Sequence, residues 1–406
     1  MTQEFDVAIV GGGLVGASLA LALADTPLRV ALIEAAPAPS TAPSWDERCI
    51  ALNDATHRIF SAYGVWPELA ADAAPITSTH ISERGRFGSA RFSAAEAGLE
   101  ALGYNVPLRA IGAALMRKLA EVSNVTLLCP ARVTAVAVER DGAVLSLEGA
   151  PFTQLRARLI AAADGAQSPV RAMFGIETDV RDYEQQAIVT AVQLTRPHDG
   201  VAYERFTPQG PFALIPKPGR AMSLVWTTPT PRVEERLSWS DERFLAEAQS
   251  VFGDRLGRFA ELGARRAYPL ARVLSKRLTA ARTVFIGNAA QALHPVAAQG
   301  FNLGLRDVAT LAELLRDAPD PGATDVLDRY EAARHNDRDR VAGLTDLMVR
   351  AFSNRLPVLS QTRHLGLVAL ELAKPLRGAV LRQHLGHLGL PASMRPGTAP
   401  GGEAGR

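Results

Sequence analysis

An uncharged, mainly hydrophobic stretch lies near the N terminus of the chain. Val7 to Ala24 contains no charged residue, and this length suffices for a marginal transmembrane helix. Four glycines fall between Gly11 and Gly16, however, and glycine destabilises a continuous helix. Glu4 and Asp6 precede the stretch, whereas a secretory signal peptide begins with positive charge. The pattern therefore predicts a buried strand, a glycine turn and a buried helix, and no other run predicts a membrane span.

The rest of the chain changes between helical and strand-like periodicity. Short β-rich runs and alternating segments predict strands, and a 3.6-residue period predicts helices. Strands are predicted at 5–10, 29–33, 158–163 and 283–286, hairpins over 76–93 and 126–147, and further strands over 186–228. Helices are predicted at 17–24 and 111–122, at 241–252 with Ser240 as the cap, and from Gly300 through Phe352. Because β-rich segments interrupt the α/β pattern twice, we expect two interleaved domains.

Composition narrows the class of protein. Of the 406 residues, 47% are hydrophobic and 21% are charged, so we expect a packed core. A net charge of +2 argues against a nucleic-acid partner. Cys49 and Cys129 give neither a disulfide framework nor a metal spacing, which favours a reducing, cytoplasmic location. His384 and His387 are three residues apart but lack a neighbouring carboxylate, so no metal site is predicted.

The glycines of the first stretch form a specific motif. Gly11-Gly12-Gly13-Leu14-Val15-Gly16 contains G-x-G-x-x-G between a predicted strand and a predicted helix. In such a motif Gly11 permits the tight turn, Gly13 lets a pyrophosphate approach the backbone, and Gly16 lets the helix pack on the strand. Glu34 ends the second strand, where a carboxylate can bind ribose hydroxyls. The motif predicts a dinucleotide site without distinguishing NAD from FAD.

Two further motifs follow predicted strands. One is Ala163-Asp164-Gly165-Ala166-Gln167-Ser168-Pro169-Val170-Arg171. The other is Gly287-Asn288-Ala289-Ala290-Gln291-Ala292-Leu293-His294-Pro295, which continues from Gln299 to Asp307. The later motif predicts a strand, a polar loop and a helix beginning near Gly300, whose first amide groups could stabilise an anion. Either motif alone is also compatible with an ordinary loop before a capped helix.

In this order and at these separations, the three motifs resemble the single-component FAD-dependent aromatic hydroxylases of the para-hydroxybenzoate hydroxylase type. The resemblance covers roughly residues 5–345. Within that group, Asp46-Glu47-Arg48-x-x-Ala51-Leu52 and Gly287-Asn288-Ala289-Ala290-Gln291 are similar to the ubiquinone-biosynthesis hydroxylases, most of all to those acting on 2-polyprenyl-6-methoxyphenol. Two positions depart from the group, since Asn288 replaces a common Asp and Ala298 stands where many relatives have Gly.

The resemblance implies an α/β fold in which a Rossmann-type FAD-binding domain is interleaved with a β-sheet substrate domain and followed by a C-terminal helical segment. We expect the FAD-binding domain to comprise residues 1–75, 102–182 and 272–345, and the substrate domain to comprise residues 76–101 and 183–271. The helical segment is expected over 346–390, and a disordered tail rich in Pro, Gly and Ala over 391–406.

The resemblance also implies roles for single residues. Contacts to FAD are expected from Gly11, Gly13, Leu14, Val15, Gly16, Glu34, Arg48, Arg109, the Val133 backbone, Asp164, Gly165, Gly287, Asn288, Gly300, Phe301 and Asn302. Arg48 and Arg109 could instead be surface charges. The backbone of Pro295 would lie beside the substrate and the flavin. His294 is a candidate base for phenol deprotonation, with a structural hydrogen-bonding role as the alternative.

The activity implied by the resemblance is FAD-dependent hydroxylation of a polyprenylated methoxyphenol through a flavin hydroperoxide. O2 would be the oxidant, and NAD(P)H or an electron-donor protein the reductant. Leu356 to Leu388 mixes apolar residues with Arg363, Lys374, Arg377 and Arg382, which favours either an anionic membrane surface or packing against the protein or another subunit. We expect a cytoplasmic protein, peripheral on the inner face of the membrane, that contacts other ubiquinone-biosynthesis proteins and no nucleic acid.

Other functions stay open at this point. The enzyme could hydroxylate another ring position or a small soluble aromatic acid. A flavin-dependent halogenase is disfavoured because the Trp-x-Trp-x-Ile-Pro signature is absent, while a polyprenyl reductase and a non-catalytic flavoprotein scaffold remain alternatives. An apolar tunnel would favour a lipid substrate, whereas a polar pocket with an arginine clamp would favour a soluble acid.

Overall fold

The structure, a computed structural model, describes residues 3–37, 48–86, 88–294, 296–352 and 373–395. The strands are β1 (Gln3–Val10), β2 (Val30–Ile33), β3 (Cys49–Asn53), β4 (Ala74–Ile76), β5 (Ser78–Glu83), β6 (Ser89–Ser93), β7 (Gly103–Pro107), β8 (Val125–Leu128), β9 (Arg132–Glu139), β10 (Gly142–Glu148), β11 (Gln154–Ala162), β12 (Thr178–Leu194), β13 (Val201–Thr207), β14 (Gly210–Pro216), β15 (Ala221–Pro229), β16 (Phe259–Leu262), β17 (Arg266–Ser275), β18 (Thr279–Ala280), β19 (Thr283–Phe285) and β20 (Gln291–Ala292). The helices are α1 (Leu14–Ala22), α2 (Asp54–Ala62), α3 (Leu108–Leu119), α4 (Pro169–Met173), α5 (Val233–Leu237), α6 (Asp241–Phe252), α7 (Gln299–Arg316), α8 (Thr324–Phe352) and α9 (Lys374–Leu385).

The N-terminal hydrophobic stretch forms the centre of the first sheet. Its strand order is β18-β19-β11-β1-β2-β8, with β10 beside β11 and β9 beside β10. Val7 pairs in parallel with Val30 on one side and with Leu159 on the other. These strands are continuous apolar runs because helices cover the parallel sheet, among them α1, which packs on β1 and β2. The predicted strand, glycine turn and helix are therefore confirmed, although α1 begins at Leu14 rather than Ala17.

A second sheet is formed by the β-rich segments. Its strand order is β20-β17-β12-β15-β14-β13-β5-β6, with β16 beside β12. One face packs on α6 through an aromatic core that includes Phe212, Trp226 and Phe244. The predicted cap is also present, because Ser240 Oγ accepts a hydrogen bond of 3.3 Å from the amide of Arg243. The other face contacts β7, because Asn105 Nδ2 donates a hydrogen bond of 3.3 Å to Ser223 Oγ.

The two sheets interleave along the chain as expected, which confirms the α/β fold class. Strands of the second sheet come from residues 78–93, 178–275 and 291–292, and the first two of these ranges interrupt the first sheet. β12 begins at Thr178 and β17 runs over Arg266–Ser275, so each crosses an expected domain boundary. The boundaries themselves stay a prediction. A third sheet, β3-β7-β4, was not predicted, because short strands separated by some fifty residues show no local pairing pattern.

The C-terminal part returns to the body of the protein. Leu381 and Leu385 of α9 pack with Ala90 and Phe92 of β6. Residues 353–372 and 396–406 lie outside the described residues. A turn at Ala392–Met394 packs on the first sheet, so the predicted disorder does not hold for 391–395. No helix within the described ranges has the length and apolarity that a membrane crossing requires.

Candidate functional site

The glycine motif forms a turn that only glycine can make. Gly11 has φ +106°, and a Cβ there would lie 2.5 Å from the carbonyl oxygen of Ala163. A Cβ on Gly16 would lie 1.9 Å from the oxygen of Gly11. In front of Gly13, by contrast, no atom lies within 4 Å. The turn is therefore tightly packed behind and open in front, as an approaching phosphate group requires.

The start of α1 is free to bind an anion. Gly13 is its N-cap, with no side-chain hydrogen bond and no acidic residue in the first turn. Glu34 lies against the same turn, because its Oε2 accepts a hydrogen bond of 2.6 Å from the Gly12 amide. Its Oε1 accepts another of 2.7 Å from the Ala36 amide. If a nucleotide binds with its phosphate groups at the start of α1, its ribose would therefore lie near Glu34.

Packing around Val15 brings the first and third motifs together. A Cβ on Gly287 would lie 3.0 Å from both methyl carbons of Val15, and one on Gly304 would lie 3.2 Å from Val15 Cγ2. Leu14 lies on the side of α3, where a Cβ on Gly112 would be 3.8 Å from its Cδ2. The small residues thus let α1, α7 and the Gly287 loop approach one another closely.

The second motif carries an unpaired buried acceptor. Asp164 Oδ2 accepts a hydrogen bond of 3.0 Å from the amide of Val170. Its Oδ1 is buried and has no hydrogen-bond partner in the described part of the chain. Burial raises the pKa of this carboxyl, although its hydrogen bonds oppose the rise. Gly165 next to it faces open space.

Arg171 joins the second motif to the third. Its guanidinium donates hydrogen bonds to the carbonyl oxygens of Ala289, at 2.7 Å, and Ala166, at 2.8 Å. Asn288, the departure from the common Asp, is exposed at the same loop. The three motifs therefore lie together at the carboxyl ends of β1, β11 and β19. This edge of a parallel sheet is where a ligand is expected to bind.

A cluster of four buried charges supports the Gly287 loop from behind. Asp307 Oδ2 accepts hydrogen bonds from the Gly287 amide at 3.0 Å and from Gln291 Nε2 at 2.6 Å, and its Oδ1 accepts one from Arg334 Nε at 2.7 Å. Asp337 Oδ2 accepts from Arg306 Nε at 2.8 Å and from Arg334 Nη2 at 2.9 Å. We call Arg306, Asp307, Arg334 and Asp337 the charge cluster.

The charge cluster is almost inaccessible to solvent, since no member's side chain is more than 4% exposed. Burial alone would raise the pKa of Asp337, but the guanidinium groups of Arg306 and Arg334 hold it well below its usual range. The charge cluster was not predicted from the sequence. The available sign was the presence of Arg334 and Asp337, three residues apart, among the apolar residues of a predicted helix.

The start of α7 is held by Asn302, whose side chain uses all its groups within the protein. Its Oδ1 accepts from the Asn53 amide at 3.0 Å and from Thr56 Oγ1 at 2.7 Å. Its Nδ2 donates to the carbonyl oxygens of Ala51 at 2.9 Å and Ala298 at 2.6 Å. A cofactor contact from this residue would therefore come from its backbone.

Three further observations describe this helix start. Ala298, its N-cap, has φ +50° and ψ 38° in the left-handed region, which is unfavourable for a residue with a Cβ. Gly300 has open space where its Cβ would be. Phe301 packs against Phe60, with ring centroids 6.2 Å apart. Ala298, which stands where many relatives have Gly, thus has a backbone conformation that favours glycine.

Comparisons with known proteins agree with this geometry. A sequence model of the family described as FAD binding domain matches residues 4–344. Ubiquinone hydroxylase UbiL of Rhodospirillum rubrum is 40% identical over 390 residues, covering 95% of this chain and 90% of that protein. The 3-demethoxyubiquinol 3-hydroxylase of Escherichia coli is 36% identical over 395 residues, covering 95% and 99% of the two chains. This chain belongs to the FAD-dependent ubiquinone hydroxylase family.

Solved structures show the same fold at lower identity. The p-nitrophenol 4-monooxygenase PnpA of Pseudomonas putida has a TM-score of 0.79 at 19% identity, covering 95% of this chain and 99% of that one. The flavin-dependent monooxygenase PieE, solved with FAD and substrate, has a TM-score of 0.70 at 20% identity, covering 94% and 72%. Together with the family match, they identify this hydroxylase as an FAD-dependent aromatic-ring monooxygenase, which confirms that prediction.

The residues present fit FAD. The open front of Gly13 and the uncapped start of α1 suit a pyrophosphate, and the unpaired Asp164 Oδ1 suits a hydroxyl donor. Arg48 is half-buried, with its guanidinium 4.6 Å from the ring centroid of Tyr268 on β17. Arg48 thus connects the start of β3 with the second sheet, and its role toward FAD stays a prediction. Asp46 and Glu47 of its motif lie outside the described residues.

Two other expected contacts have different surroundings. Val133 is buried at the start of β9, close to the end of β2, because the Ala131 amide donates to the carbonyl oxygen of Glu34 at 2.7 Å. Arg109 is exposed in the first turn of α3, so both its interpretations stay open. The cofactor assignments as a set stay predictions.

The two expected catalytic positions also differ. Pro295 lies outside the described residues. His294 is 1% exposed, and its Nδ1 accepts a hydrogen bond of 3.1 Å from the Val296 amide. Burial lowers the pKa of His294 to about 4, and its ring meets the Tyr183 ring edge-on at 5.1 Å. The lowered pKa and the occupied Nδ1 make His294 a weak base, but its buried Nε2 has no hydrogen-bond partner among the described residues, so both interpretations stay predictions.

Proposed function

We propose that this hydroxylase adds one hydroxyl group to the ring of a polyprenylated methoxyphenol in ubiquinone biosynthesis. Bound FAD would supply the transfer of oxygen from O2 to the ring. In balance, the phenol, O2, NAD(P)H and a proton would give the hydroxylated phenol, water and NAD(P)+, with reduction by a donor protein as the alternative source of electrons. Family membership supports the chemistry, and the face of the second sheet supports the substrate class.

The observation that carries the substrate class is a row of side chains across the second sheet. Val189, Val225, Ala213, Glu204 and Ile81 are neighbours in the registers of β12, β15, β14, β13 and β5. We call them the inner row. All except Ala213 are only half-buried, although they belong to strands away from the sheet edges. Three apolar side chains, those of Val189, Val225 and Ile81, therefore line accessible space.

The sheet face that carries the inner row contacts β7 and the residue before β3. On the same sheet face, Tyr268 contacts Arg48, and Ser223 Oγ accepts a hydrogen bond of 3.3 Å from Asn105 Nδ2 of β7. The aromatic ring and isoprenoid chain of a substrate bound against this face would contact mainly Val, Ala and Ile side chains. No guanidinium belongs to the inner row itself, which disfavours a soluble aromatic acid.

The test is hydroxylation by the purified FAD-loaded protein. With 2-geranyl-6-methoxyphenol, NADPH and isotopically labelled dioxygen, we expect a product that carries one labelled oxygen atom by mass spectrometry. A Gly13→Val variant is the matched control, because its side chain would fill the open phosphate space without a clash in the protein. It should contain no flavin and form no product. Reductant consumption without product would contradict the proposal.

A second candidate is hydroxylation at another ring position. It is favoured by the name of the Escherichia coli relative, a 3-demethoxyubiquinol 3-hydroxylase. Deleting the gene and identifying the accumulated precursor by mass spectrometry separates the two. A polyprenyl-methoxyphenol supports the first candidate, and a demethoxyubiquinol supports the second.

A further inference from the structure

One carboxyl group interrupts the inner row. Glu204 lies in β13 between Ala213 of β14 and Ile81 of β5. The neighbouring residues on its own strand and face are Ala202 and Phe206, both buried. Every other member of the row is apolar, so Glu204 is the polar group that a ligand lying on this row would meet.

The carboxyl of Glu204 lacks a partner among the residues that the structure describes. Across the described ranges, no hydrogen bond or ion pair involves it, and its side chain is half-buried. Burial raises the pKa of Glu204 to about 7. Leaving a buried carboxyl unpaired is costly for the fold. Such a group is retained more readily when a ligand supplies the missing hydrogen bond.

The position of Glu204 is adjacent to the loop that leads to α7. Phe206 forms a buried apolar cluster with Val296 and Val349, and Ile81 packs against this cluster. Val296 is the first residue of the short turn Val296–Ala298 that leads into α7. Ile81, the cross-strand neighbour of Glu204, thus packs against side chains that contact Val296 in the third motif.

Other titratable groups near this face are already engaged. Asp346 of α8 accepts hydrogen bonds of 2.8 Å from Arg181 and 3.2 Å from Tyr183, and His294 packs on Tyr183. Glu83 lies two positions beyond Ile81 on β5. Burial alone accounts for the raised pKa of Glu204, with no resolved contribution from any of these groups.

We propose that Glu204 is a catalytic residue that accepts the phenolic hydrogen of the substrate and orients its ring. This role rests on the proposed function. The phenolic O–H bond breaks, its proton moves to Glu204, and the electron pair stays on the phenolate oxygen, which makes the ring more electron-rich. As the new ring C–O bond forms, the same ring carbon loses its hydrogen as a proton, which passes to the oxygen atom that leaves as water. The proton held by Glu204 returns to the phenolic oxygen, so Glu204 ends the cycle as a carboxylate. The oxygen atom and the electrons still come from O2 and the reductant.

The first experiment measures binding to the FAD-loaded protein through the flavin absorbance. The probes are 2-geranyl-6-methoxyphenol and its O-methyl ether, which cannot donate a hydrogen bond. In Glu204→Leu we expect affinity for the phenol to fall about tenfold, while affinity for the ether stays the same or rises. Glu261→Gln is the control, because it removes the same charge from an exposed position of the same sheet.

The second experiment measures turnover against pH. In the unmodified enzyme kcat/KM should rise with pH through about 7, because Glu204 must be ionised to accept the proton. Glu204→Gln should keep its FAD but lose about 100-fold in kcat and lose this pH limb.

The outcomes separate the two proposals. If the unmodified enzyme hydroxylates the phenol and both Glu204 variants bind and turn over normally, only the role of Glu204 is wrong. Equal loss of phenol and ether binding would also overturn it, since that result indicates altered packing. If the unmodified holoenzyme binds neither probe, the proposed function fails and the role of Glu204 fails with it.

Discussion

Behind the Gly287 loop, Asp307 and Asp337 face Arg306 and Arg334 in a region closed to solvent, and every carboxylate has a cationic partner. On the inner row, Glu204 is half-buried and has no partner among the described residues. Paired buried charges can be retained for a structural purpose, whereas an unpaired one strains the fold. The difference indicates where function lies. The charge cluster holds the Gly287 loop in place, whereas Glu204 is the group for which we propose a ligand.

Breaking the paired region should have the largest effect. Asp337→Ala removes the carboxylate shared by Arg306 and Arg334 and leaves two buried guanidinium groups without it. We expect a loss of about 3–5 kcal/mol in the free energy of unfolding, measured by denaturant titration. Asp325→Ala, at an exposed ion pair of the same helix, should cost less than about 1 kcal/mol. Equal losses would show that the cluster contributes nothing special.

A milder change tests whether the cluster positions the cofactor loop. Asp307→Asn keeps the shape but loses the charge that holds Arg334, and one oxygen can no longer serve all three donors. We expect FAD affinity to fall about tenfold. The measurement is a titration that detects released FAD by its fluorescence. Asp317→Asn, exposed at the end of α7, is the control. Unchanged affinity would mean that the Gly287 loop does not depend on Asp307.

The two regions should respond to pH in opposite directions. The pKa of Asp337 is lowered in the fold, so its contribution to stability is present above about 4 and is lost as pH falls through the folded value. The pKa of Glu204 is raised from 4.5 to about 7, so the fold loses stability as pH rises through this interval.

Glu204→Gln sharpens this contrast. We expect its melting temperature to exceed that of the unmodified protein by about 2 °C at pH 8 and to match it at pH 4, where both side chains are neutral. The measurement is a thermal melt of the flavin-loaded protein at several pH values. Glu261→Gln should show no such difference. A variant less stable than the unmodified protein at pH 8 would contradict the unpaired state of Glu204.

The smallest effect is expected between the two regions, at Ala298. Ala298→Gly relieves a left-handed backbone conformation but adds freedom to the unfolded chain. We expect a net gain of about 0.5 kcal/mol in the free energy of unfolding and unchanged FAD content. A loss of flavin would show that the methyl group of Ala298 contributes to the site.

Local patterns predicted the elements well where they were long and periodic. The glycine motif, the hairpins over 76–93 and 126–147 and the capped helix at 241–252 all depend on neighbouring residues, and the structure confirms them. The third sheet was missed because β3 and β7 find each other across a long stretch of chain. Asn302 was expected near the flavin, but its side chain is committed to Ala51, Asn53 and Thr56, which only the folded chain reveals.

The sequence by itself determined the cofactor class. The three motifs are local patterns, and their order and spacing resemble those of a known FAD-dependent family. It also determined that the N-terminal stretch is a strand–turn–helix unit. Only the tertiary structure decided which polar groups are paired. The pairing of Arg306 with Asp337, and the lack of a partner for Glu204 in the described part of the chain, result from long-range packing. Burial and neighbouring charge depend on elements that are distant in sequence.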